Sequence, residues 1–396
     1  MKYDFDKITV RRGTNCVKWD HEPPVPVDMD KVIPMWVADM DFEVLPEIQE
    51  AIKKRAQHPV FGYNTVPDEY YEAIVNWFDK RHGWKIQKDW IQYTLGIVPA
   101  MSAVVRALVE PGKKVVILTP AYNCFFPAIT NNDCTVVECP LVYKDRYHTI
   151  DFELFEKICA DPDVKMFLFC NPHNPSGRVW TVEELTKIGE ICRKHDVIVT
   201  SDEIHCELVM PGYKYTPFAS ISQANQDCCV SMNAASKAFN VAGLQIGNIV
   251  TNNPEWKSKI NRAINVMEIC DVNPFGHLAL VAAYSKSGAE WLDQLNEYIY
   301  GNYKMLCDMF AAEIPEFPVS KMEGTYLPWV DCGVLGGLSS VDIENSLLQN
   351  EFVWINCGKM YGKEGFIRIN LAAPRSLVEE GLRRVIHGLK RLEGKI

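Results

Sequence analysis

Several short apolar runs in the middle of the chain end in residues that can do chemistry. After VKMFLFC come Asn171, His173 and Asn174; after DVIVTS come Asp202, Glu203 and His205; after CVSMN come Ser236 and Lys237; and Gly96 follows IQYTL. With Tyr122 as an aromatic candidate, these supply an amine, a carboxylate, amides, a flat ring and a glycine turn. Singly, each has a plainer reading. Asp202 could cap a helix, His205 could be a packed or surface side chain, and Asn174, between Pro172 and Pro175, could serve only a turn.

The elements that must position them follow a simple rhythm. IQYTL, KVVILT, CTVVEC, VKMFLFC, DVIVTSD, CVSMN and GNIVTN alternate with helical stretches such as TVEELTKIGEICRKHD, where Thr181 and Glu184 have capping-box spacing. Apolar strands separated by helices read as an α/β fold with a mostly parallel sheet covered on both faces. Ligands bind such sheets beyond the carboxyl ends of the strands, which gathers the polar residues above on one edge.

Upstream, PEIQEAIKKRAQ (46–57) predicts a helix broken by HPVFGYN, and DEYYEAIVNWFDKRHG predicts a second. Downstream, residues 289–315 predict one long helix interrupted at Gly301 and stopped by Pro315. The remainder reads as a smaller α+β domain whose last helix starts at Ser376, with Glu379 in capping position. The division expected is an N-terminal segment, 1–45, packing with the small domain and active site; a large domain, 46–288; and a connecting helix with the small domain, 289–396.

Composition narrows the function. A chain of 396 residues with 47% hydrophobic and 23% charged residues is an ordinary globular one, long enough for two domains. Its net charge of -10, without a basic arm, argues against nucleic-acid and membrane partners. The acidic N-terminus and the lack of a long apolar run predict a cytoplasmic protein. The 14 cysteines include no CxxC pair and read as reduced, mostly buried thiols. No metal site is expected: HExxH is absent, as are GxGxxG after the first strand and GxxxxGK[ST].

Pyridoxal phosphate (PLP) uses every member of the set. Its aldehyde needs an amine, Lys237, and its ring nitrogen needs an anion, Asp202. Its phosphate needs backbone N–H groups, which Ile97 and Val98 offer at a helix start after Gly96. Tyr122 can stack on the ring, and Asn174 can donate to the phenolic oxygen. Arg368 stands in the strand-like FIRIN, where a buried guanidinium must be paired, either with a substrate carboxylate or in a structural ion pair.

MWVADMDF (35–42), HPVFGY (58–63), NPHNPSGR (171–178), SDEIHCEL (201–208), ASKAFNVAGLQ (235–245), EGTYLPWVD (323–331) and GFIRINLAAPR (365–375) run in order along nearly the whole chain. In these segments the sequence resembles fold-type I PLP enzymes of the aspartate aminotransferase superfamily, and within them the MalY/PatB cystathionine β-lyase group. The resemblance implies a large PLP-binding domain with a mostly parallel seven-stranded sheet, a smaller α+β domain, and a homodimer with active sites at the subunit interface. Lys237 then carries the cofactor as a Schiff base, Asp202 pairs with the pyridine nitrogen, Asn174 bonds the ring hydroxyl and Tyr122 stacks. Tyr63 reaches the phosphate of the neighbouring subunit, and Arg368 clamps the substrate carboxylate beside Val37 and Ala38.

Two departures qualify the pattern. Ala234 and Gln245 stand where many superfamily members have a serine and an arginine for the phosphate, so the clamp relies on backbone donors, Tyr63 and Ser236. His205 stands where aminotransferases often have a tyrosine near the ring oxygen. The implied reaction is β-elimination from a sulfur amino acid, with Lys237 as proton shuttle and Tyr122 as a further catalytic group. Cystathionine would yield homocysteine, pyruvate and ammonia. Transamination is the rival, since it shares the same carbanion. A regulatory protein-binding role is a third reading, because the family includes a member that also binds a transcription regulator.

Overall fold

Residues 2–266, 268 and 271–395 are described by a computed structural model. All seven apolar runs form strands of one sheet: β1 Ile91–Thr94, β2 Lys114–Thr119, β3 Thr135–Pro140, β4 Val164–Cys170, β5 Ile198–Asp202, β6 Cys229–Asn233 and β7 Gly247–Val250. Their order is β1-β7-β6-β5-β4-β2-β3. Strands β2 to β6 pair in parallel, and β7 runs antiparallel to both its neighbours.

The apolar runs are near-continuous because both faces of the sheet are buried. On β2, Val116 and Leu118 enter one core while Val115 and Ile117 enter the other; on β4, Phe167 and Phe169 oppose Met166 and Leu168. This is the two-residue period of a strand sandwiched between helices. Helix Val182–Lys194 covers the first face through Leu185, Ile188 and Cys192. Helix Ile97–Leu108 covers the second through Ala100, Met101 and Val104. The Thr181 capping box forms: Glu184 N donates to Thr181 Oγ1, and Thr181 N donates to Glu184 Oε2.

Two expectations about helices need correction. The long helix spans Lys286–Glu313, is capped by Ser285 and passes through Gly301 without a break. A Cβ at Gly301 would lie 2.5 Å from Arg375 Nη2, so the glycine makes room for a guanidinium and leaves the helix intact. Pro315 does end it, as the residue before a proline is driven from helical geometry, and Ile314 has φ -146°. The last helix, Arg375–Glu393, starts after Pro374 with no side-chain cap, so the Ser376–Glu379 box does not form. The Tyr298 hydroxyl accepts the Arg375 N–H at 2.6 Å instead and satisfies an open donor of the first turn.

A second, antiparallel sheet joins β8 Trp329–Asp331, β9 Asn356–Cys357 and β10 Phe366–Arg368, in the order β8-β10-β9. The N-terminal segment reaches this region: Ile33–Pro34 pairs in parallel with Val353–Trp354, and Trp36 stacks on Trp354 at 4.1 Å between ring centroids. Among the described residues, no helix is long and apolar enough to cross a membrane.

Candidate active site

One pocket opens at the carboxyl ends of β4, β5 and β6. It is lined by Ala38, Gly96, Ile97, Val98, Tyr122, Asn174, Asp202, His205, Ser236 and Lys237, all expected from sequence, together with Leu95, Pro99, Cys170, Ile204, Ala242, Gln245 and Ile246. Asp202 is the last residue of β5, and Lys237 and Asn174 each follow their strand by four positions. Strand alternation sorts the neighbours. Glu203 turns into the protein, where Ser201 Oγ, Ser231 Oγ and Phe218 N donate to it. Asn171 is spent on Thr216 O, and His173 on Ser176. Those three polar residues share the sheet edge but not the pocket.

Gly96 links β1 to helix Ile97–Leu108 with φ +126°, a conformation L side chains avoid, and so turns the chain sharply into the helix. The first N–H groups of a helix lack partners within it. Ile97 and Val98, at the start of this helix, line the pocket and carry such N–H groups, while Pro99 beside them has none to offer. Ser236 adds a buried hydroxyl.

Burial dominates the electrostatics. It pushes the Asp202 carboxyl up to about 7, with the charge of Glu203 in the same direction; the Ile204 N–H and Lys237 oppose it. Burial lowers the Lys237 amine, and the positive charge of Arg368 adds to that. His205 is held neutral by burial, by Lys237 and by Arg368, and its Nδ1 is buried without a partner. Tyr122 is raised by burial, next by the Cys124 thiol beside its hydroxyl.

Arg368, 3% exposed, donates from Nη1 to Asn174 Oδ1 at 3.2 Å and from Nη2 to Trp36 O at 2.8 Å. Its guanidinium lies over the Tyr361 ring, and its Nε has no partner among the described residues. Among the described residues no carboxylate pairs with it. The structural ion pair considered from sequence is therefore not what holds this charge. By accepting from Arg368, the Asn174 oxygen leaves Nδ2 as its open donor.

Segment 36–40 forms a strap along the pocket, and five successive carbonyls on it are taken by side chains. Trp36 O accepts from Asn356 and Arg368, Val37 O from Asn370, Ala38 O from Lys237 and Tyr326, Asp39 O from Asn370 and Lys18, and Met40 O from Arg11 and Asn240. Val37 lines the adjoining cleft, which also reaches Lys237. Sequence reasoning missed Tyr326, Asn356, Asn370 and Asn240. Asn370 was the one within reach, two residues beyond Arg368 in FIRIN and so on the same face of an extended chain. Tyr63 is 97% exposed and does not line the pocket.

These residues fit PLP. A depressed amine can attack an aldehyde, a buried carboxylate that among the described residues has no cationic side chain in hydrogen-bond contact suits a pyridinium, and N–H groups at a helix start suit a phosphate. The unpartnered Nδ1 of His205 and Nε of Arg368 are buried donors or acceptors awaiting a ligand.

Residues 30–385 match the family described as aminotransferase class I and II. The chain is 39% identical over 384 residues to cystathionine beta-lyase PatB of Bacillus subtilis (strain 168), covering 96% of this chain and 98% of that one. It is 32% identical to protein MalY of Escherichia coli (strain K12), covering 98% and 99%. The crystal structure of cystalysin from Treponema denticola, which contains a pyridoxal 5'-phosphate cofactor, superposes with a TM-score of 0.94 at 38% identity over 99% of this chain and 100% of that one. Site geometry, fold and sequence thus agree, and the chain belongs to the aminotransferase class I and II family and, within that fold-type I superfamily, to the MalY/PatB-like C–S lyases.

Proposed function

We propose that this protein is a PLP-dependent carbon–sulfur β-lyase that cleaves L-cystathionine to homocysteine, pyruvate and ammonia, and that it also accepts cysteine or related S-substituted amino acids. The observation that carries the reading is the meeting of Lys237, Asp202 and Asn174 in one pocket, with an Arg368 beside it that has no carboxylate partner. When bound, PLP supplies an aldehyde that condenses with amines and a ring that draws electrons from Cα.

The chain's own residues do the rest. With the cofactor bound, Asp202 would hold a negative charge toward the ring nitrogen, Asn174 Nδ2 would donate to the ring oxygen and Tyr122 would stack on the ring, with His205 lining the same pocket. The Ile97 and Val98 N–H groups and Ser236 Oγ would receive its phosphate. Arg368 takes the α-carboxylate of the amino acid, with the backbone of Val37 and Ala38 alongside. Lys237 Nζ removes the Cα proton, a task suited to an amine whose burial favours the neutral form. Lys237 or Tyr122 then returns a proton to the departing sulfur, and one water enters per pyruvate and ammonia released.

Tyr63 we assign to the phosphate of a neighbouring subunit in a homodimer; its near-complete exposure in the single chain suits a residue used by another copy. We assign residues 1–45 to an N-terminal segment that packs with the small domain and the active site, residues 46–288 to a large PLP-binding domain, and residues 289–396 to a connecting helix with the small domain. The acidic balance favours small-molecule substrates over nucleic acid.

Purified protein loaded with PLP and given L-cystathionine, without any oxo acid, should release pyruvate and homocysteine in equal amounts. Turnover only after an oxo acid is added would make it an aminotransferase and overturn the reading.

A further inference from the structure

The carbonyl oxygen of Ala38 accepts from two directions: Lys237 Nζ donates at 2.7 Å and the Tyr326 hydroxyl at 2.9 Å. A carbonyl has two lone pairs, so this oxygen is fully used. Tyr326 is completely buried, and among the described residues its hydroxyl makes no other hydrogen bond. Its ring meets His205 edge-on, with centroids 6.3 Å apart.

The chain is bent to put the ring there. Thr325, just before it, has φ +68°, an unfavourable conformation for a β-branched residue, and is held in it by Thr325 N donating to Leu208 O at 2.7 Å. On the other side, Leu371 N donates to Tyr326 O at 3.0 Å. Phenylalanine would fill nearly the same space, so packing alone gives no reason for a hydroxyl at this position. We propose that Tyr326 is a positioning residue for Lys237, acting through the Ala38 carbonyl, which docks the lysine amine between the two proton transfers of the elimination.

The proposal rests on the lyase reading and adds a residue to it. A neutral primary amine has two N–H bonds and one lone pair. Donating one N–H to Ala38 O stops rotation about Cε–Nζ and leaves the lone pair free for the Cα proton. Once that proton is gained, the ammonium donates more strongly to the same oxygen. The Tyr326 hydroxyl competes for that oxygen and draws electron density from it, so the ammonium is held less tightly and gives its proton back to the leaving sulfur. The strap keeps the oxygen in place, since its neighbouring carbonyls at Val37 and Asp39 are both held by Asn370.

Tyr326→Phe tests this. In the PLP-loaded enzyme, kcat for pyruvate release from L-cystathionine should fall about tenfold while KM stays within about twofold, as expected for an amine that gives its proton back less readily rather than a lost binding contact. In the cofactor-free chain, the pH midpoint for competitive acetylation of Lys237, read by peptide mass spectrometry, should rise by about half a unit or more, because the amine keeps an undivided acceptor. Arg368, Asp39, Asp202, Cys124 and His205 also face this amine, and none is altered by the substitution.

Should Tyr326→Phe fold poorly, fluorotyrosine at position 326, a stronger donor of the same shape, should move the acetylation midpoint down. An unchanged midpoint and unchanged kcat, or a rise in KM alone, overturns the proposal. If the wild-type enzyme forms no pyruvate, the lyase reading falls instead, and the acetylation midpoint still decides whether the dock exists.

Discussion

The floor and the wall of the pocket are built in different ways. The floor consists of residues at or just past strand ends, Asn174, Asp202 and Lys237, held by a sheet buried on both faces. The wall, made of the strap and β10, is held by side chains reaching backbone carbonyls: Arg368 to Trp36, Asn370 to Val37 and Tyr326 to Ala38. Packed strands resist displacement because any shift opens voids in two cores. A wall tied by hydrogen bonds can be altered one donor at a time. Damage to the floor should thus appear mainly in the chemical step, and damage to the wall mainly in substrate capture and stability, except at Tyr326, which shares a carbonyl with the floor residue Lys237 and so bears on the chemical step.

Lys237→Ala should have the largest effect, lowering elimination by about 10³-fold or more while the thermal midpoint of the cofactor-free chain moves little, since it removes both the cofactor link and the base. Near-normal pyruvate release would end the comparison at once.

Asp202→Asn should lower kcat by about 10²-fold. It also carries a pH signature. In the cofactor-free chain the folded-state value lies near 7, above the ordinary 3.8. The folded state therefore favours the protonated carboxyl, and this contribution is complete below about pH 4 and lost as pH rises through about 7. Relative to Asp202→Asn, the wild type should lose stability across that window in denaturant titrations. Parallel curves would show that burial does not govern this carboxylate.

On the wall, Arg368→Ala should raise KM by about 10²-fold, and Arg368→Lys should recover only part of it, because an ammonium cannot make the two-pronged contact with a carboxylate. A pure kcat defect would erase the distinction between the two regions. Asn370→Ala should be mildest for turnover, with kcat within a few fold, yet cost about 1–2 kcal/mol in stability, because two part-buried carbonyls lose a donor and only the one at Asp39 keeps another, from Lys18. Chemical denaturation of the cofactor-free chain would measure it.

The same contrast explains what was legible in the sequence. Each floor residue lies within four positions of an apolar run whose period and flanks predict a strand, so a local pattern plus the rule about strand ends was enough. The Thr181 capping box was legible for the same reason, being complete within four residues. The Ser376 box misled because its local pattern was overruled by Tyr298, which accepts the Arg375 N–H across 77 positions, and Gly301 misled because Arg375 occupies the space beside it. Tyr326, 288 positions from Ala38, and Asn370, 333 from Val37, leave no periodic trace at all.

The strap has one more consequence. Carbonyl groups are the same whatever side chain follows them, so a segment gripped by its carbonyls is recognised without regard to its own letters. Residues 37 and 38 should thus tolerate a change of type, provided they remain small enough to lie flat, while the asparagine and tyrosine that grip them should not. The instruction for where the catalytic amine rests is written in distant residues, and the segment it touches is only the surface on which that instruction is carried out.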